Sequence, residues 1–222
     1  MGGVASKIDP DQVTDTALRL LNETGLDGLT LRRIAKELDV QAPALYWHFA
    51  NKQALLDAMA TEMYRRMAVE PLPGPDAPWQ DWITSAARRL RHALLGYRDG
   101  AKVFSGTHFT GNDHATLMER HLGALIGAGF TLKEAVLASS TTYAFTVGVV
   151  IEEQSVHPLP GHQEPPFDLA ERAQRIGLDH PLSVAAGETL FADFEEQFER
   201  GLAIMVAGIA ATVPGLAPTG RA

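Results

Sequence analysis

The stretch VQAPALYWHFANKQALL, Val40 to Leu56, places Tyr46, Trp47 and His48 side by side within a short predicted helix. Such a helix turns one apolar face to a core, so it cannot bury three consecutive large side chains. At least one of them therefore faces water or a partner.

The periodicity of this helix predicts which residues face inward. On a helix that runs from Pro43 to Phe49, Leu45 and Phe49 are four residues apart and share the inward face. Ala44 and the Trp47–His48 pair then point away from the core. From periodicity alone, contact of these aromatic side chains with DNA and their packing against neighbouring helices both remain open.

The preceding sequence predicts a first helix. Asp9 is suited to the N-cap and Pro10 to the first helical position, while Gln12 is placed to complete a capping box. Gly25 offers a left-handed stop.

A second helix is predicted to begin at Thr30 and to leave Arg32, Arg33 and Lys36 on its outer face. A turn at 39–41 separates it from the aromatic helix, and Asn51 is suited to cap a fourth helix. Two short helices joined by a turn of about three residues are typical of a helix-turn-helix.

Composition limits the class of protein. The chain has 222 residues, no cysteine and a formal net charge of −8. It has no unbroken apolar stretch of membrane-spanning length and no apolar signal segment at its start. We therefore expect a cytoplasmic protein with no membrane partner, in which any contact with a polyanion is confined to the basic residues around the helix-turn-helix.

The proline-rich segment EPLPGPDAP, Glu70 to Pro78, cannot continue a helix and predicts a domain boundary. The expected fold is all-α, with an N-terminal helix-turn-helix head at 1–67 and a larger helical ligand-binding and dimerisation domain at 79–213. Helices in the larger domain are predicted at 79–97, 114–128, 131–154 and 190–209, with a broken segment at 102–109 and a mobile proline-rich loop at 155–168.

Several separated motifs resemble one family. LTLRRIAKELDVQAPALYWHFANKQALLDAMATEM, Leu29 to Met63, resembles the DNA-binding domain of the TetR family of bacterial transcriptional regulators, and its LYWH and NKQALLDA segments resemble the tetracycline repressors. YRDGAKVFSGT, Tyr97 to Thr107, and FTVGVVIEEQ, Phe145 to Gln154, resemble later segments of the same repressors. The motifs occur in the family's order and cover most of the chain.

This resemblance implies a homodimer that binds a palindromic double-stranded DNA operator and is released by a small-molecule effector. In the family, two long helices of each subunit form a four-helix bundle, and the predicted helices at 131–154 and 190–209 lie at those places. The residues expected to contact DNA are Thr30, Arg32, Arg33, Gln41, Ala42, Pro43, Ala44, Tyr46, Trp47, His48 and Lys52. Because Gln41, Ala42 and Ala44 replace the polar residues usual in tetracycline repressors, we expect a different operator.

The effector pocket implied by the resemblance departs from the family pattern. Tetracycline repressors bind a magnesium chelate of the drug through polar side chains, one of them a metal-binding histidine. The matching positions here hold Ala68, Ala86, Phe104 and either Arg120 or His121. We therefore expect a hydrophobic effector rather than magnesium-tetracycline. The residues expected to line the pocket are Ala86, Leu90, Phe104, Thr107, His108, Phe109, His121, Tyr143, Val147 and Glu152.

Other functions remain as alternatives. The histidines at 92, 108, 114 and 121 do not have the spacing of a metal site, so neither a metal nor a cofactor is expected. A helical-bundle enzyme is a remote alternative, because the sequence has no nucleophile, metal or dinucleotide motif. An activator, or a regulator that needs no ligand, is compatible with the same fold.

Overall fold

The computed structural model describes residues 9–157 and 167–213, and all its regular secondary structure within these ranges is helical. The first four helices are α1 (Pro10–Gly28), α2 (Leu31–Glu37), α3 (Ala42–Tyr46) and α4 (Lys52–Met67). They are followed by α5 (Trp79–Leu95), α6 (Gly100–Phe104), α7 (Asp113–Gly127), α8 (Leu132–Val156), α9 (Leu169–Ile176), α10 (Pro181–Leu190) and α11 (Phe194–Thr212). The predicted all-α fold is confirmed.

Side-chain caps fix the starts of the head helices. The side chains of Asp9, Thr30 and Asn51 each accept a backbone hydrogen bond at the N-terminus of the helix that follows. The side chain of Asp9 accepts from the backbone N–H of Asp11. Among the described residues, the side chain of Gln12 does not accept the backbone N–H of Asp9, so the predicted capping box is wrong. A capping box instead opens α8, between Thr131 and Glu134.

The predicted ends of several helices need correction. The aromatic helix ends at Tyr46 rather than Phe49, because Trp47 and His48 form a tighter turn that leads to the Asn51 cap. Gly25 interrupts α1 with a φ of 69°, but the chain makes one further turn before the helix ends.

The helix predicted at 190–209 begins four residues later, at Phe194, and Leu190 belongs to the preceding helix. α10 ends at Leu190, and the side chain of Asp193 caps the separate helix α11. The helices α9 and α10 were not predicted from the sequence. Most of the proline-rich loop predicted at 155–168 lies outside the described residues.

The core of the head continues into the larger domain. One hydrophobic cluster joins Leu21 and Met59 of the head to Leu94 of α5, Val103 of α6 and Val150 of α8. The segment between α4 and α5 is non-helical, as the predicted boundary requires, but the domain bounds themselves remain a prediction. Because the cluster is continuous, a change in the larger domain has a path of packed side chains to the head.

The helix α8 is the central element of the larger domain. It packs most extensively on α5 and also contacts α6, α7 and α11. Its length and a mean hydropathy of 1.4 would by themselves suffice to cross a membrane, but only a third of that apolar window is buried within the subunit. The remaining exposed apolar surface needs another explanation.

Candidate DNA-binding surface and effector cavity

The short helix α3 is held by the two residues predicted to face inward. Leu45 is fully buried and Phe49 is almost so, which confirms the predicted inward face. Trp47 is 89% exposed and Tyr46 is 51% exposed, while His48 is also exposed. An exposed tryptophan beside an exposed tyrosine is unusual for a surface that meets only water.

The other residues expected to contact DNA also lie at the surface of the head. Arg32 and Arg33 are exposed on α2, immediately after Thr30, whose hydroxyl accepts the backbone N–H of Arg33 at 3.2 Å. Gln41 and Pro43 are exposed at the start of α3, where Ala42 and Ala44 are half-buried. Their DNA contacts remain a prediction.

Lys52 has a structural role that the sequence did not predict. Its ammonium Nζ donates a hydrogen bond of 2.9 Å to the carbonyl oxygen of Leu26, near the end of α1. The bond ties the N-terminus of α4 to α1. Because an ammonium has three donors, Lys52 keeps others for a phosphate.

A cavity of about 390 Å³ lies in the larger domain, enclosed by α5, α7 and α8 together with the C-terminal end of α4. Its lining residues are Tyr64, Met67, Leu72, Pro73, Trp82, Ile83, Ser85, Ala86, Ala87, Arg89, Leu90, Phe104, Phe109, Leu117, Met118, His121, Leu122, Val136, Ser139, Ser140, Thr142, Tyr143 and Thr146. A cavity of this size with mainly apolar and aromatic walls is typical of a small-molecule site.

The residues expected in the pocket divide into two groups. Those that line the cavity are Ala86, Leu90, Phe104, Phe109, His121 and Tyr143. The ring of Phe104 lies 5.5 Å from that of Phe109 and 6.4 Å from that of Tyr143, measured between centroids. Phe109 in turn contacts Tyr64 of α4 at 4.8 Å. One wall is therefore aromatic and reaches the helix that comes from the head.

The remaining four predicted pocket residues do not line the cavity. Val147 is buried in the main hydrophobic cluster, and Glu152 is exposed on α8. The hydroxyl of Thr107 donates to the carbonyl of Phe104, and the backbone N–H of His108 donates to the carboxylate of Asp57 on α4. These bonds fix the loop after α6, in which Phe109 lines the cavity but Thr107 and His108 do not.

His121 is a polar but uncharged part of the wall. Its Nε2 lies 3.0 Å from the hydroxyl of Ser139, and its ring packs edge-on against Trp82 at 6.3 Å. Burial lowers the pKa of His121 below its usual value, so the imidazole is neutral at pH 7. It offers a hydrogen bond rather than a charge.

Arg89 and Trp82 are cavity residues that the sequence analysis missed. They share the face of α5 that carries Ala86, since positions 82, 86 and 89 follow the helical repeat. Arg89 is 8% exposed, and its Nη2 donates to the carbonyl of Met67 at 2.8 Å. Burial lowers the pKa of Arg89, and the carboxylate of Glu70 opposes that shift.

The described part of the chain contains no group of three or more histidine, aspartate or glutamate side chains placed to hold a metal ion. The position at which the resemblance implies a metal-binding histidine is occupied by Phe104, which is buried in the cavity wall. A phenyl ring has no lone pair with which to coordinate magnesium.

Comparisons with known proteins agree with the resemblance. Residues 13–59 match the family described as bacterial regulatory proteins, tetR family, and residues 70–213 match the tetracyclin repressor-like C-terminal domain. The class A tetracycline repressor from transposon 1721 of Escherichia coli is 41% identical over 205 residues, which cover 92% of each chain.

Solved structures give the same result. A possible TetR-family transcriptional regulator from Streptomyces coelicolor A3(2) is 41% identical, with a TM-score of 0.79, and the match covers 91% of this chain and 99% of that one. The class A repressor in complex with 5a,6-anhydrotetracycline and magnesium is 35% identical, with a TM-score of 0.66, and the match covers 92% and 99%.

The matched families are composed of transcriptional regulators, so the enzyme alternative is set aside. The first matched region contains the helix-turn-helix, and the second contains all the residues named above for the cavity wall except Tyr64 and Met67. The chain belongs to the TetR family of transcriptional regulators, in its tetracycline-repressor-like subclass.

Proposed function

We propose that this regulator is a repressor that binds a palindromic operator as a homodimer and is released by a hydrophobic small molecule. The observation that carries the proposal is the position of α4. Its N-terminus lies beside the helix-turn-helix, whereas Tyr64 and Met67 near its C-terminus line the cavity. A ligand that binds more tightly when α4 is in the position that does not fit DNA weakens DNA binding. The loss of DNA affinity cannot exceed the difference in ligand affinity between the two positions.

The walls of the cavity support a hydrophobic effector in place of magnesium-tetracycline. Ala86 and Phe104 stand where the resemblance implies polar groups, and both line the cavity. The aromatic side chains of Phe109 and Tyr143 lie close by. A planar apolar molecule gains more from such walls than a hydrated metal chelate does.

The exposed faces of α8 and α11 support the homodimer. Positions 137, 141, 144 and 148 form a stripe of apolar or small residues on α8, and Ile204, Ala207 and Gly208 do so on α11. The two helices pack against each other within the subunit. A second copy related by two-fold symmetry would cover both stripes. The apolar surface of α8 would then be shielded from water, as expected for a cytoplasmic protein.

A gel shift of the purified protein on the intergenic DNA beside its own gene, with random DNA at the same salt, tests operator binding. We expect a shift of the intergenic DNA at concentrations that leave random DNA free. Equal binding to both would contradict an operator at that place.

The alternative of an activator, or of a regulator without a ligand, makes different predictions. In a reporter assay, deletion of the gene should raise transcription from the bound promoter if the protein is a repressor. Reduced transcription would favour an activator.

A further inference from the structure

Among the described residues that line the cavity, Arg89 is the only one with a formally charged side chain. His121 is neutral there, and no lining residue is a carboxylate. The electrostatic character of the cavity is therefore set by one guanidinium.

The hydrogen bonds of Arg89 are incomplete. Among the described residues only its Nη2 is bonded, to the carbonyl of Met67. Its Nε is buried without a hydrogen-bond partner and forms only an ion pair, at 3.5 Å, with the carboxylate of Glu70, whose side chain is 41% exposed. Solvent around Glu70 screens this pair. A buried guanidinium with unused donors is stabilised by a further anion, since the low dielectric around it strengthens the attraction.

A second donor without a partner lies in the same wall. The indole Nε1 of Trp82 is buried and makes no hydrogen bond. Trp82 lies two helical turns before Arg89 on α5, which separates the two along the helix axis by roughly 10 Å. Beside Trp82, His121 and Ser139 form a small polar corner. The mainly apolar wall thus contains two separated buried donors on α5, from Arg89 and Trp82.

We propose that the effector is an aromatic acid whose anionic group pairs with the guanidinium of Arg89 and whose apolar body packs against Phe104, Phe109 and Tyr143. A hydrogen-bond acceptor at the far end of the molecule meets Trp82. This inference rests on the proposed role of the cavity as the effector site.

A cationic effector fits these walls less well. Aromatic rings do attract cations, but Arg89 repels them and the wall offers no carboxylate to offset that repulsion. A fully neutral ligand would leave the donors of Arg89 and Trp82 unpaired, at the usual cost of buried polar groups.

Two fluorescent probes of nearly the same shape test the charge preference. 8-Anilinonaphthalene-1-sulfonate is an anion, and N-phenyl-1-naphthylamine is the same aromatic body without the sulfonate. Both are titrated against the full-length protein, and each dissociation constant is measured by fluorescence. Ala86→Trp, which fills the cavity, shows whether the probes bind there.

The decisive variant is Arg89→Met, which keeps the apolar stem and removes the charge. The sulfonate should bind about ten- to a hundredfold more weakly to this variant, the usual loss for a charged hydrogen bond, while the neutral probe binds within about twofold of the parent. Arg88→Met is the matched control, because Arg88 lies next along α5 but pairs with Glu199 of α11 and does not line the cavity. It should leave both dissociation constants unchanged.

Glu70→Gln tests the same ion pair from the other side, because it keeps Arg89 and removes the carboxylate that competes with the ligand. This test does not require the Arg89 variant to fold. Removal of the competing carboxylate should tighten sulfonate binding by a few-fold and leave the neutral probe unchanged. Circular dichroism confirms that each variant is folded.

The outcomes separate the two proposals. If neither probe binds, or if Ala86→Trp does not reduce binding, the cavity is not the effector site and both proposals fall. If Ala86→Trp blocks both probes but neither Arg89→Met nor Glu70→Gln changes the preference for the sulfonate, the cavity remains the effector site. The proposal that the effector is an acid bound by Arg89 is then overturned.

Discussion

Neighbouring residues at the end of α3 have different expected roles, Leu45 in stability and Trp47 in DNA binding. Leu45 is completely buried, so Leu45→Ala should lower the free energy of unfolding by about 2–5 kcal/mol. Trp47 is 89% exposed, so Trp47→Ala should change it by no more than about 0.5 kcal/mol. If Trp47 contacts DNA, the same variant weakens specific binding in a gel shift.

The measurement is urea unfolding of both variants, paired with gel shifts on operator and random DNA at one salt concentration. A large loss of stability in Trp47→Ala would show that the indole packs on the protein. Unchanged operator affinity in a stable Trp47→Ala variant would remove this residue from the proposed DNA surface.

Phe104 allows a second test at the residue scale. Phe104→His places an imidazole where the resemblance implies a metal ligand, but Ala68 and Ala86 still lack the polar side chains of tetracycline repressors. We expect tetracycline with magnesium to release less than about a tenth of the bound operator DNA from this variant, because the other polar side chains that would hold the drug are absent. Strong release in a gel shift would show that the cavity already holds the remaining contacts.

The sequence predicted some cavity residues and missed others for identifiable reasons. Motif positions pointed to Ala86, and the helical repeat around it would also have found Trp82 and Arg89. By contrast, the direction of the loop that carries His108 depends on a hydrogen bond to Asp57, 51 residues away. Local periodicity contains no information on such a contact.

At the scale of the elements, capping residues were more informative than apolar stripes. Thr30 and Asn51 marked helix starts correctly, since a cap is a local hydrogen bond. The apolar spacing from Leu190 to Ile209 continues across a break, because two helices can contribute to one apolar surface. Asp193 caps α11, and recognising it as an N-cap would have placed the start of this helix correctly.

The exposed glycine of α11 tests how this helix packs. Within the subunit, a Cβ added at Gly208 meets no atom within 4 Å, so Gly208→Leu should leave the fold intact. If α11 packs against a second copy, the added side chain should raise the dissociation constant of the dimer about tenfold or more, as overpacking of a close helix contact does.

Gly123→Leu is the matched control for this test. Gly123 is exposed within α7, and a Cβ added there also has no neighbour within 4 Å. Sedimentation velocity over a range of concentrations measures both dissociation constants. Equal effects of the two variants would contradict a dimer contact through α11.

At the scale of the whole molecule, hydrogen bonds join the head to the larger domain beside the shared core. The carboxylate of Asp99, before α6, accepts the backbone N–H of Leu26 at 2.9 Å. The amide of Gln154 on α8 donates to the carbonyl of Leu94, near the end of α5, and to that of Tyr97, in the turn that contains Asp99. The turn between α5 and α6 thus links the central helix to the end of α1.

The charge of Asp99 makes this link sensitive to acid. Burial raises the pKa of Asp99, but the hydrogen bond from Leu26, the ion pair with Lys102 and the charge of Arg98 all lower it, so the pKa is lowered overall. A carboxyl with a lowered pKa in the folded protein contributes stability above its unfolded pKa of about 3.9, and this contribution is lost as the pH falls through the folded value. Stability from Asp99 should therefore be complete near neutral pH and decline below about pH 4.

Asp99→Asn tests this link, because asparagine tolerates the left-handed conformation at φ 55° and can still accept from Leu26, but has no charge. Urea midpoints at a fixed protein concentration, measured from pH 7 to pH 3, should show the variant less stable than the parent at pH 7, with a difference that shrinks at the acid end. Asp39→Asn is the control, since Asp39 has a similar φ of 53° and its carboxylate makes no hydrogen bond within the described residues. A difference for Asp99→Asn that stayed constant over the whole pH range would mean that the charge of Asp99 does not stabilise the contact between the head and the larger domain.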